Sequence, residues 1–179
     1  MELKLKTISK DGIAEALSKV TLYRYLREPE EAESICHDIL AVEPENQLAI
    51  RMLGLSITDQ FTGHPSDRYG DAGSAFQQLT DPYERLYYTG LLYERRAKAQ
   101  MQAGRPPQML ISLFKEAMAH FEEAEKIHPA GNDDAVLRWN RCVRLLEKLP
   151  PVEESEEPGD FADHDSAPLE FIRRTTKTG

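Results

Sequence analysis

The chain offers few residues whose type and spacing suggest chemistry. Cys36 and His37 set a thiol beside a base, the arrangement that generates a reactive thiolate when the two side chains meet. The apolar spacing around them is helical, however, and adjacent helical residues point about 100° apart. Cys36 therefore reads as a packing residue on the apolar stripe, and Cys142 reads the same way on a later helix. Glu125-Lys126-Ile127-His128 has the Glu-x-x-His spacing of carboxylate-bridged metal centres. Those centres need a second copy and further glutamates on facing helices. One copy, directly ahead of Pro129, reads as a solvated helix end. The histidines at 37, 64, 120, 128 and 164 show no metal-ligand spacing. Glu122-Glu123 belongs to the wet face of an amphipathic helix. The sequence contains no glycine-rich phosphate loop and no Gly-x-Ser-x-Gly elbow. The expectation is of no catalysis, no metal and no cofactor.

The elements that carry these residues are helical from 13 to 149, with almost no alternation of period two. Helices are predicted over 13–27, 30–42, 46–61, 67–79, 82–103, 107–127 and 132–148. Asp81-Pro82-Tyr83-Glu84 supplies a capping carboxylate, a proline at the first helical position and an acid in the first turn. Glu28-Pro29-Glu30-Glu31 and Asn132-Asp133-Asp134 are further starts, with acids at the positive end of the helix dipole. Pro44, Gly104, Pro129 and Pro150 each follow a run of helix formers and stop it.

Composition narrows the partners. With 31 acidic and 22 basic residues in 179, the formal charge is −9 and no basic block exists, so a nucleic acid is not an expected partner. No run approaches the roughly 20 apolar residues of a membrane span, so no membrane partner is expected. The first residues, Met1-Glu2-Leu3-Lys4-Leu5-Lys6, lack the apolar stretch of a secretory signal. Two distant cysteines then read as reduced thiols, and the expected location is cytoplasmic. Three parts are predicted: an N-terminal arm over 1–12, a helical domain over 13–149 and an acidic tail over 150–179. The tail begins Pro150-Pro151 and runs through Glu153, Glu154, Glu156, Glu157, Asp160, Asp163 and Asp165. It has too few apolar residues for a core of its own. Near its end, Leu169, Phe171 and Ile172 cluster ahead of Arg173-Arg174, like a docking peptide.

Within the helical domain a pattern recurs. Ala32, Cys36, Ile39 and Pro44 are spaced 4, 3 and 5, and Ala117, Phe121, Ala124 and Pro129 repeat that spacing. Ala72, Phe76 and Leu79 give a third partial copy. Ile50, Leu53, Gly54 and Ile57 follow Pro44 at matching offsets, and Leu86, Gly90 and Tyr93 echo them. These residues resemble the tetratricopeptide repeat (TPR) over roughly 13–149. Small residues there let paired helices approach, and large ones fill the space between pairs. The resemblance implies an all-α fold, a right-handed superhelix of about three helical hairpins with a C-terminal capping helix at 132–149. The sequence departs from the pattern at the long junction Phe61-Thr62-Gly63-His64-Pro65-Ser66 and in a stretched third repeat split by Gly104-Arg105-Pro106-Pro107. Val20 stands where repeat one lacks the glycine, and Trp139 stands where a small residue belongs in the last helix.

The resemblance also implies a site. In TPR proteins the first helices of successive repeats line a concave groove that binds a protein or peptide. The corresponding residues are Ala14, Leu17, Thr21, Arg24 and Tyr25; Leu48, Arg51, Leu55, Thr58 and Asp59; and Glu84, Tyr87, Leu91, Glu94 and Arg95. Aliphatics and tyrosines mixed with a few charges suit a peptide or helix with apolar anchors. The alternative is that the same residues pack inside a tightly wound bundle. Chaperone adaptors of the family grip a terminal carboxylate with asparagine and lysine, where this chain has Thr21, Leu55 and Leu91. In size, acidity and repeat number the chain is similar to the small TPR chaperones of type III secretion. The expected function is an adaptor, scaffold or chaperone-like binding module. The alternatives are a structural subunit whose groove is filled by its own tail, in itself or in a homodimer, and an enzyme of a kind the motifs do not reveal.

Overall fold

A computed structural model describes residues 3–151. Of the expected arm and tail, Met1, Glu2 and residues 152–179 lie outside the described residues, and with them Leu169, Phe171 and Ile172. All regular structure among the described residues is helical. A 3-10 turn, Lys10–Gly12, leads into α1 (Ile13–Tyr25). There follow α2 (Pro29–Val42), α3 (Gln47–Asp59), α4 (Tyr69–Gln77), α5 (Pro82–Gln102), α6 (Pro107–Glu125) and α7 (Asp134–Leu146). Each end lies within two residues of the sequence-based prediction, because the punctuation is local. Asp81 accepts hydrogen bonds from the backbone N–H groups of Tyr83 and Glu84 at 2.8 and 3.4 Å. The Asn46 side chain caps α3 through the Ala49 N–H at 3.0 Å. Pro29, Pro82 and Pro107 each open a helix, where a missing N–H costs nothing.

Each helix packs on the next in the chain, and the odd-numbered helices also touch one another: α1 with α3, α3 with α5, α5 with α7. No pair of even-numbered helices makes contact of that extent among the described residues. The result is two rows, with α1, α3, α5 and α7 sharing one side. Ala32, Cys36 and Ile39, then Ala72, Phe76 and Leu79, then Ala117, Phe121 and Ala124 are all completely or almost completely buried. Gly54 and Gly90 hold equivalent places against them. A β-carbon on Gly54 would lie 2.4 Å from the Phe76 ring, and one on Gly90 would lie 2.7 Å from the Phe121 ring. In the first pair the sizes are exchanged: Val20 takes the glycine's place, the smaller Cys36 that of the phenylalanine, and both are buried. No helix among the described residues is long and apolar enough to cross a membrane.

Candidate partner-binding face

The residues selected from the first helices of the pairs lie on α1, α3 and α5, which touch one another in turn, and are found in three different environments. Tyr25 is 85% exposed, Ala14 and Thr21 are exposed, and Leu48 is 39% exposed. Leu17, Arg24, Arg51, Glu84, Tyr87 and Arg95 are half-buried. Leu55, Thr58, Leu91 and Glu94 are buried at 8, 4, 3 and 0% exposure.

The charged members hold each other. Asp59, at the end of α3, accepts from Arg24 Nε of α1 at 2.7 Å and from Arg95 Nη1 of α5. Arg95 also donates to Thr58 Oγ1 at 2.7 Å. One carboxylate thus ties three helices of the row together. Burial pulls the Arg95 pKa below its ordinary value, with Asp59 opposing the shift. Nearer the helix starts, Arg51 of α3 pairs with Glu84 of α5 at 2.6 Å, its guanidinium 6.0 Å from the Tyr88 ring centre. Tyr83, Tyr87 and Tyr88 follow along α5: Tyr83 stacks on Tyr87, Tyr87 meets Tyr88 edge-on, and Tyr88 stacks on Phe76.

At the far end α7 lies over α5. Glu94 is fully buried, with Arg138 of α7 at 3.4 Å and Lys98 at 3.5 Å from Oε1, while Oε2 has no hydrogen-bond partner. Burial works against the Arg138 cation, and Tyr87 and Glu94 outweigh it, so its pKa is raised. The row is therefore closed by α7 around Glu94, while Thr21 and Tyr25 on α1, and Leu48 at the start of α3, stay exposed. Sequence reasoning selected these residues but not their pairing. The signal was present: Arg24, Asp59 and Arg95 stand at neighbouring offsets with alternating sign.

The other chemical candidates stay apart. Cys36 and Cys142 are fully buried, and burial pushes both thiols up to about 12. His37 is exposed and faces Glu33 at 3.6 Å. His128 is exposed, with Nδ1 against the Glu125 carbonyl at the end of α6. No group of three or more His, Cys, Asp or Glu side chains among the described residues is placed to hold a metal ion.

Comparison of the chain with family models, curated proteins and solved structures finds no match.

Proposed function

We propose that this chain is a TPR-like helical-repeat module, a right-handed superhelix of three hairpins capped by α7, that binds a peptide or helix of another protein. One observation carries the reading. Arg24 and Arg95 share the single Asp59 carboxylate where α1, α3 and α5 meet, while Tyr25, next to Arg24 in α1, stays 85% exposed. Cross-linked by one carboxylate, that floor is held in place, and an exposed tyrosine one helical turn from the exposed Thr21 offers an apolar anchor with a polar tip. The occupied end near Glu94 directs the partner to the α1–α3 end.

The test is capture by the full chain, with bound proteins identified by mass spectrometry and each affinity measured on purified partner. Tyr25→Asp together with Thr21→Arg changes two exposed side chains and leaves the core intact. The double variant is expected to weaken the partner by tenfold or more, about 1.4 kcal/mol or more, with an unchanged circular dichroism spectrum. Undiminished affinity would remove the α1–α3 face as the site.

A further inference from the structure

The repeat leaves its last odd-numbered helix without a hairpin mate. Each of α1, α3 and α5 is followed by an even-numbered helix packed against it, whereas no helix follows α7 among the described residues. One side of α7 packs on α6 and α5 and buries Ala135, Cys142 and Leu145. A second apolar stripe is left over. Val136, Trp139 and Val143, spaced 3 and 4, share one strip of the helix surface. Trp139 is 36% exposed, the two valines are half-buried, and all three lie outside the buried core. By the register of the repeat, Trp139 corresponds to Gly54 and Gly90, which meet Phe76 and Phe121 of the helix that follows each of them. The stripe thus stands where the earlier odd-numbered helices receive their partners.

Charge singles out the same helix. Arg141, Arg144 and Lys148, again spaced 3 and 4, form a basic stripe along α7 and the turn that ends it. All three are exposed, and none forms an ion pair among the described residues. The bases of the odd-helix face are engaged instead: Arg24 and Arg95 with Asp59, Arg51 with Glu84, and Arg138 with Glu94. The sequence beyond Pro151 is complementary to both stripes of α7. Seven acids and no lysine or arginine occupy 153–165, beginning five residues after Lys148. Leu169, Phe171 and Ile172 then place three large apolar side chains within four residues. In a chain of net charge −9, an acidic run is drawn to a helix whose exposed bases are unpaired.

We propose that residues 153–172 fold back on α7 of their own chain and take the place that an eighth helix would hold. The acids of 153–165 lie along Arg141, Arg144 and Lys148, and Leu169, Phe171 and Ile172 cover Val136, Trp139 and Val143. The tether allows it. From Pro151 to Leu169 the chain advances 18 residues, a reach of up to about 60 Å. The 13 residues of α7 extend over only about 20 Å. Tethering also favours the chain's own segment, holding it at an effective concentration of about 1 mM. A second copy docking through its own α7 would set the same unpaired bases against these. The segment closes the end of the stack, where a terminal element must cover apolar surface that no further repeat will bury. This site is on α7, away from Tyr25, and does not rest on the partner-binding reading.

Trp139 is the only tryptophan, so its fluorescence in the full-length chain reads the stripe directly. Leu169→Ser, Phe171→Ser and Ile172→Ser together remove the apolar cluster and leave every residue of the helices unchanged. This triple variant should move Trp139 emission to longer wavelength and raise its acrylamide quenching constant about twofold, by uncovering the 36% of Trp139 that the helices leave exposed. Arg141→Glu with Arg144→Glu, two exposed changes, should do the same. Far-ultraviolet circular dichroism should match the parent in both variants. Quenching of the parent should stay constant on dilution from about 100 to about 1 μM, because the contact lies within one chain. Equal quenching in the parent and the triple variant would overturn the proposal. So would protection lost on dilution, which would put a second copy on α7, or protection that survives Arg141→Glu with Arg144→Glu.

Discussion

Gly54→Ala adds one methyl group where the helix pairs come closest. The new carbon would lie 2.4, 2.7 and 2.8 Å from three atoms of the Phe76 ring, against about 3.5–4.0 Å for ordinary carbon contacts. The ring or a helix must therefore shift by about 1 Å. Phe76 is completely buried. Forced overpacking of this kind costs about 1–3 kcal/mol, while alanine in a helix interior returns up to about 1 kcal/mol relative to glycine. The difference spans about 0–3 kcal/mol of loss, centred at about 1.5 kcal/mol, or roughly 3–6 °C in melting temperature for a chain of this size. Gly70→Ala is the internal control, because nothing lies within 4 Å of that β-carbon. Only the propensity gain remains there, so this variant should be as stable as the parent or more stable by up to about 1 kcal/mol. Both are measured by urea unfolding followed by far-ultraviolet circular dichroism. A cycle with Phe76→Ala completes the argument. That change alone should cost about 3–5 kcal/mol, and the double variant should lose about 1 kcal/mol less than the sum, since the clash has gone. If Gly54→Ala behaves like Gly70→Ala, the close approach of α3 and α4 at Phe76 is refuted.

Burial raises the Cys36 and Cys142 thiols to about 12, so the folded chain at pH 8 should leave both unlabelled by a disulfide reagent while the denatured chain titrates two; fast native labelling of either would contradict its burial. The same shift makes stability fall as pH rises from the ordinary thiol value of 9.0 toward 12. Arg68, hydrogen-bonded to Glu33, lowers that carboxyl from 4.5 to about 2, so its contribution is present above pH 4.5 and lost as pH falls toward 2. Glu33→Gln should flatten the stability profile in that window, and an unchanged acid limb would show that the Glu33–Arg68 pair does not stabilise the fold.

Helix positions were legible in the sequence because their signals are local. Asp81 caps α5 from its own first turn, and Pro29, Pro82 and Pro107 act on the residues beside them. The spacing of Ala32, Cys36 and Ile39, with its copies at 72–79 and 117–124, marked which residues would be buried, since one turn of helix fixes which side chains share a face. Gly54 and Gly90 were legible for the same reason, and the rings they face were named with them. The choice between groove and packing was not legible. Nothing near Glu94 in the chain announces that Arg138, 44 residues later, arrives with α7 to cover it. The ion ladder through Asp59 joins residues 35 and 36 positions away, and charges alone do not say which helix will stand opposite. The junction at 61–66 and the break at 104–107 looked like defects in a repeat, and only their meeting across α5 makes a pocket. Local structure follows from neighbours in sequence. The partners of a charge, and the walls of a cavity, depend on how distant helices stack, where small backbone offsets accumulate and close packing selects one arrangement.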